Sequence, residues 1–291
     1  MPELPEVEIT RRRIAPLLVG RRIASVRTTA PSYFYLTPPA RLRRRLPGRS
    51  VQNMERRGKY LIAALDDGQR LLVHLGMTGQ LFAENARSVR LLSSAARASL
   101  APEEQAVFSP DQHTHLQLHF DDDGPGVMLR DVRKFGKVRL LAPGEREPRL
   151  EKLGLDALDV TGEHLFRASR RRKVAIKSLL LDQSVLAGVG NIYADEALFL
   201  AGVRPTRRGL RATRAECERI AQGLRRVLTR SIETGGSSIS DYVGPDGRDG
   251  RYQDERKVYA RTGQPCLVCD TQIVRKTVGQ RGTHYCTRCQ S

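Results

Sequence analysis

Two C-x-x-C pairs, Cys266/Cys269 and Cys286/Cys289, lie sixteen residues apart in the 291-residue chain. So short a segment cannot bury a sufficient core of its own and needs a cross-link to fold. The spacing suits a closed four-thiolate zinc site, with each pair on a tight knuckle. Two disulfides are the alternative, but they require an oxidising compartment that nothing in the chain indicates, and a redox C-x-x-C requires a βαβ setting that is missing. The segment is therefore expected to fold around one structural zinc. Cys217 stands apart in a predicted helix and is read as inert. His284, between the pairs, is read as a hairpin side chain and not as a ligand.

The remaining length allows about two domains. With 40% hydrophobic and 28% charged residues the chain has the usage of an ordinary folded protein, which excludes global disorder. No window approaches the roughly 18 apolar residues of a membrane span, and the start, MPELPEVEIT, lacks a basic region followed by an apolar one. Neither a membrane nor secretion is expected. The balance of 50 Lys+Arg against 32 Asp+Glu gives a net charge of +18, a field that draws in polyanions. Basic residues cluster at Arg11 to Arg13, Arg41 to Arg45, Arg170 to Lys177 and Arg204 to Arg214, as they do where a surface tracks a phosphate backbone. Nucleic acid is the expected partner, against the alternative of a solvated basic surface.

The hydrophobic period changes along the chain. Short runs at 23–26, 59–65, 70–75, 115–120, 127–129 and 137–141 read as antiparallel strands punctuated by Asp-Gly turns, as in a sandwich or barrel. One helix precedes them, with Val7, Ile14, Leu17 and Leu18 near helical spacing after Pro5 and with Glu6 and Glu8 in its first turn. Residues 84–112 read as a long loop, with at most one helical turn. From there helices dominate: 174–183 and 191–201 flank a Gly-containing turn, and a third begins at the capping-box pair Thr213 and Glu216 and stops at Gly235-Gly236. The fold class is α+β in two domains, an N-terminal helix plus antiparallel β-sandwich followed by a helical domain with a helix-two-turn-helix and a C-terminal four-cysteine zinc ribbon. The divisions fall at residues 1–145, 146–240 and 241–291. The last of these holds a Gly- and Asp-rich loop and the zinc hairpin.

The start, Met1-Pro2-Glu3-Leu4-Pro5-Glu6, carries chemistry if the initiator methionine is removed. Pro2 then offers a secondary amine able to attack an aldehyde-like carbon such as C1′ of a deoxyribose, with Glu3 beside it as acid or base. The bland alternative is a helix N-terminus and nothing more.

MPELPEVE, the hairpin GKYL (58–61), HLGMTG (74–79), DVRKFG (131–136), GVGNIYADEAL (188–198) and GQRGTHYCTRCQ together resemble the bacterial formamidopyrimidine-DNA glycosylases, over essentially the full length and in the family's order. The resemblance implies excision of oxidised purines, 8-oxoguanine and formamidopyrimidines, from double-stranded DNA by a monomeric bacterial enzyme of the cytoplasm and nucleoid. It implies that Pro2 is the nucleophile at C1′, that Glu3 helps open the sugar, that Glu6 supports them, and that Lys59 contacts phosphate and assists β-elimination. Arg281 is implied to grip the phosphates flanking the lesion and to take part in δ-elimination. Met77, Arg133 and Phe135 match the residues that fill the space left by the everted base, Arg133 facing the orphaned partner, for which the family prefers cytosine. Asn191, His113 and Arg172 match further DNA contacts. One structural zinc on Cys266, Cys269, Cys286 and Cys289 completes the set.

The chain departs from the family's pattern in places. Asp131-Val132-Arg133 replaces Asp-Pro-Arg, Leu153-Gly154-Leu155-Asp156-Ala157-Leu158 replaces Leu-Gly-Pro-Glu-Pro-Leu, Ser240 stands where some relatives carry lysine, and the stretch 84–112 is long. Two rival readings stay open: an endonuclease VIII-like enzyme acting on oxidised pyrimidines through the same Pro2 and Glu3, and a non-catalytic protein that senses DNA damage.

Overall fold

In a computed structural model of the protein, residues 2–84, 86–87, 109–238 and 242–291 are described. Ser240 and most of the expected loop at 84–112 lie outside them. The chain divides into two units, one of Met1–Glu147 with Gly235–Arg251 and one of Pro148–Thr234 with Tyr252–Ser291. No helix among the described residues is long and apolar enough to cross a membrane.

The first unit begins with α1 (Leu4–Leu18). Glu3 is its N-cap and forms a capping box with Glu6, Pro5 sits in the first turn where a missing N–H costs nothing, and Pro16 falls in the last turn. Then follow β1 (Ile23–Thr28), α2 (Pro39–Arg45), β2 (Val51–Arg57), β3 (Tyr60–Leu65), β4 (Arg70–His74), β5 (Gly79–Ala83), β6 (Thr114–Phe120), β7 (Val127–Asp131) and β8 (Lys137–Leu141). They form two four-stranded sheets, ordered β2-β3-β4-β8 and β1-β6-β7-β5, antiparallel throughout. Alternate residues converge on one core: Leu61, Ala63 and Leu65 from β3, Leu116, Leu118 and Phe120 from β6, Val138 and Leu140 from β8. Val7, Ile14 and Leu18 of α1 join the same cluster. Each large side chain so buried is worth about 1.5–3 kcal/mol.

All six expected strands are present, and the structure adds β2 and β5. Both are edge strands. β2 reads as polar because it turns only Val51 and Met54 inward and carries a bulge between Val51 and Asn53. The expected strand start at Lys59 is one residue early: Gly58 and Lys59 form a two-residue turn between Arg57 and Tyr60, with Gly58 at φ 56°, a conformation only glycine adopts cheaply.

The second unit contains the single turn α3 (Pro148–Glu151), a two-stranded parallel ladder of β9 (Leu155–Asp156) and β10 (Leu186–Ala187), and helices α4 (Gly162–Arg170), α5 (Ile176–Leu181), α6 (Asn191–Ala201) and α7 (Arg214–Glu233). α7 begins at the expected capping box, with the Glu216 N–H on Thr213 Oγ1 at 3.1 Å and the Thr213 N–H on Glu216 Oε2 at 2.7 Å. It packs on α4 and α6 through a stripe that includes Ile220, Leu224 and Leu228. The helix expected over 174–183 is shorter, and α4 was not anticipated, although Thr161 caps it by accepting the His164 N–H. The unit ends in the hairpin β11 (Ile273–Val278) and β12 (Arg281–Cys286), whose two-residue turn, Gly279-Gln280, has φ of 55° and 63°, the hairpin turn that suits twisted strands.

Candidate active site and zinc centre

The acidic head of α1 is buried. Glu3 and Glu6 are 3% and 2% exposed, and the Glu6 carboxylate accepts the Glu3 N–H at 2.8 Å and the Ser237 N–H at 2.9 Å. Tyr242 adds a hydrogen bond from its hydroxyl to the Glu6 carbonyl at 3.3 Å. One carboxylate thus fastens the residue after Pro2 to the Gly235–Arg251 segment. Gly236, at φ 86°, is needed there, since a Cβ would lie 3.2 Å from Glu6 Oε1 and 3.1 Å from the Tyr242 ring.

One turn further along α1, Glu8 is held by three arginines. Arg11 donates at 2.8 and 3.0 Å, Arg12 at 2.7 Å and Arg56 at 3.0 Å. Arg56 also donates to the Gly58 carbonyl at 3.1 Å, so it ties α1 to the turn that carries Lys59. Lys59 is only 9% exposed, unlike the solvated strand lysine its sequence allows. Burial pushes the Glu8 carboxyl up, but the hydrogen bonds from Arg11, Arg12 and Arg56 overcome this and hold it at about 2.

Because this folded value lies below the ordinary 4.5, the stabilisation is complete above pH 4.5 and is lost as the pH falls towards 2. It amounts to about 3 kcal/mol at neutral pH. Glu8→Gln should therefore lower the urea midpoint at pH 7 and flatten its fall between pH 5 and 3, both read by circular dichroism; a wild-type acid limb in the variant would refute the assignment.

The β4–β5 turn presents Met77 and the β7–β8 loop presents Arg133 and Phe135, with Met77 39% and Phe135 43% exposed. The Arg133 guanidinium lies 4.6 Å from the Phe135 ring centroid. These exposed apolar side chains stand on a buried polar base that sequence reading missed, the Asp131 carboxylate, which binds Thr78 and the loop backbone. His113 is placed close by in chain topology, its carbonyl accepting the Asp131 N–H at 2.9 Å.

In the second unit Asn191 opens α6, its Nδ2 donating to the Gly282 carbonyl at 2.9 Å. Its Oδ1 is buried without a hydrogen-bond partner among the described residues. Lys177 and Asp195, both fully buried, pair at 2.7 Å. Lys177 also donates to Thr283 Oγ1 at 2.8 Å and the Gly282 carbonyl at 3.1 Å, and Asp195 accepts the His284 N–H at 2.8 Å. Gly282, Thr283 and His284 all lie in β12, so the pair orients the strand that Arg281 opens. Nothing in the spacing of Lys177 and Asp195 marks them, since a buried ion pair has no local sequence signature. Arg172 is engaged by Asp182 and, at 3.2 Å, by Ser184.

The Sγ atoms of Cys266, Cys269, Cys286 and Cys289 all lie within 4.8 Å of one another, with separations of 3.9, 3.5 and 3.3 Å among them. A tetrahedron with Zn–S bonds of about 2.3 Å has edges of about 3.8 Å. Four soft donors at that spacing leave no position for water or substrate, which fits one structural zinc. Hydrogen bonds from Thr271 bring the Cys269 thiol down to about 6, whereas burial pushes the Cys286 and Cys289 thiols up. His284 is not part of the cluster. Cys217, by contrast, is fully buried, and burial pushes its thiol up to about 11.

Comparison with known proteins covers the same ground. Residues 1–138 match the formamidopyrimidine-DNA glycosylase N-terminal domain, residues 153–243 that protein's H2TH domain, and residues 263–291 the zinc finger found in FPG and IleRS. The chain is 44% identical to the formamidopyrimidine-DNA glycosylase of Cupriavidus pinatubonensis, with all of both chains covered. The crystal structure of the MutM (Fpg) protein of Thermus thermophilus superposes with a TM-score of 0.82 at 36% identity, covering 99% of this chain and 98% of the other. A Lactococcus lactis Fpg mutant bound to Fapy-dG-containing DNA gives 0.84 at 33% identity, with both chains fully covered. On matches that run the length of the chain, this protein belongs to the formamidopyrimidine-DNA glycosylase family.

Proposed function

We propose that the protein is a bifunctional DNA glycosylase and AP lyase that removes oxidised purines, 8-oxoguanine and formamidopyrimidines, from duplex DNA. The observation that carries this is the pairing, in a member of this family, of Pro2 with a buried carboxylate at the head of α1. With Met1 removed, the Pro2 nitrogen attacks C1′, the bond to the damaged base breaks, and the base leaves with the proton that the nitrogen gives up. Glu3 gives a proton to the ring oxygen, the sugar opens, and an iminium ion remains between Pro2 and C1′. That cation acidifies the C2′ proton. Its removal expels the 3′ phosphate, and a second elimination expels the 5′ phosphate, leaving a one-nucleotide gap with phosphate ends.

The other residues take parts suited to their chemistry. Glu6 keeps Glu3 in place, and Lys59 contacts phosphate next to the lesion and assists the first elimination. Arg281, with a planar guanidinium able to hold phosphate through two hydrogen bonds, assists the second. Met77 and Phe135 occupy the space of the everted base, and Arg133 reads the base left opposite. Asn191, with the N–H groups at the head of α6, binds phosphate, and His113 and Arg172 add DNA contacts, Arg172 by exchanging Asp182 for phosphate. Zinc supplies no chemistry to the reaction; the four cysteines hold it to keep β11 and β12 folded. We place the enzyme, as a monomer, in the bacterial cytoplasm with the nucleoid.

A paired strand-cleavage assay tests the reading. Untagged protein should cut duplexes carrying 8-oxoguanine opposite cytosine and leave phosphate at both ends, while thymine glycol duplexes are cut at least tenfold more slowly. Preference for thymine glycol would transfer the protein to an endonuclease VIII-like role. Binding without cleavage of either would leave a damage sensor.

A further inference from the structure

The backbone of the β7–β8 loop is gripped on both sides of Arg133. Its N–H is shared between Thr78 Oγ1 at 3.2 Å and Asp131 Oδ1 at 3.3 Å, and Thr78 itself donates to that same carboxylate oxygen. The second oxygen of Asp131 accepts the Gly136 N–H at 2.7 Å. Asp131 is fully buried, where hydrogen bonds to a carboxylate are strengthened by the low dielectric. One side chain thereby joins the turn bearing Met77 to the loop bearing Arg133 and Phe135.

The carbonyl of Arg133 is held from outside. It accepts the hydroxyl of Tyr33 at 2.9 Å. The next residue, Lys134, has φ 56°, a left-handed conformation that a lysine keeps only when its surroundings impose it. With its N–H and its carbonyl both held, the two peptides flanking the Arg133 Cα are fixed, and with them the direction of its Cα–Cβ bond. Tyr33 is 61% exposed, and the Lys137 ammonium lies 4.9 Å from its ring centroid. A ring so exposed adds little to the core.

We propose that Tyr33 and Asp131 are positioning residues that set opposite-base selectivity, Asp131 holding the Arg133 peptide by its N–H and Tyr33 by its carbonyl. This rests on the reading that Arg133 faces the base opposite the lesion. Removing either grip lets Arg133 sample several directions, and the preference for one partner base falls with it.

The experiment is single-turnover excision by the full-length protein with its native N-terminus, on duplexes that differ only in cytosine or adenine opposite 8-oxoguanine. Wild type is expected to favour cytosine. Tyr33→Phe removes one hydroxyl from an exposed ring and should narrow the cytosine-to-adenine rate ratio by roughly fivefold, the scale of one hydrogen bond. A merely structural contribution would slow both duplexes equally and leave the ratio intact. Asp131→Asn should narrow it further, and if that variant fails to fold, Tyr33→Phe alone decides. A Tyr33→Phe ratio within twofold of wild type overturns the proposal while leaving the glycosylase reading in place. Wild-type protein that excises from neither duplex overturns both.

Discussion

Protein that retains Met1, or carries any N-terminal tag, yields no borohydride-trapped adduct with an 8-oxoguanine duplex, and its strand cleavage falls by roughly 10³-fold or more. In that protein the nitrogen of Pro2 is a tertiary amide whose lone pair is delocalised into the carbonyl, so it cannot attack C1′. Freed, the same nitrogen is a secondary amine whose lone pair is available to attack C1′. Pro2→Ala, processed to a free N-terminus, separates two contributions. A primary amine still condenses with C1′, but its imine can lose its proton, whereas the iminium formed by proline has no N–H to lose and stays cationic. Trapping by the alanine variant should therefore be weak and should fall as pH rises, with DNA affinity nearly unchanged. Wild-type trapping by tagged protein would exclude Pro2 as the nucleophile.

Removing zinc has the largest expected effect on structure. The small cluster around the hairpin contains Phe199, Val258 and Ile273 together with Cys266 and Cys286, so two ligands are also core residues. Structural zinc contributes about 10–16 kcal/mol to folding in zinc-finger peptides at neutral pH, far more than so few apolar side chains supply. Chelation should abolish hydrogen-exchange protection across Ile273–Val278 and Arg281–Cys286 and eliminate strand cleavage. The β-sandwich should stay protected, since its core draws no residue from that segment. Asp195 and Lys177 would lose their partners in β12. Full cleavage by verified metal-free protein would separate the zinc from the function of Arg281.

Local patterns in the chain determine much of the architecture. The capping box at Thr213, the apolar spacing in α1, the turn residues between strands and the cysteine spacing each act over a few residues, so each can be read without knowing what packs against it. Edge strand β2 is different. It turns few apolar residues inward, because its other face is not covered by the core, and its place is decided by pairing with β3. α4 likewise depends on packing against α7.

The proposed catalytic residues were legible through the resemblance, whereas the groups that hold them were not. Glu6 lies within a single helical turn of Glu3, yet its second partner is Ser237, 231 residues away. Glu8 meets Arg56, Asp131 meets Thr78, and Tyr33 reaches Arg133 across a hundred residues. By itself the sequence determined which side chains can do the chemistry, where helices start and turns fall, and that a metal closes the last segment, because those properties belong to single residues and short spacings. Only the tertiary structure decided that Lys59 is buried, that the Gly235–Arg251 segment returns to the first unit, and that one buried carboxylate carries two loops, because each of these depends on desolvation and on hydrogen bonds between residues that the chain brings together only once it is folded.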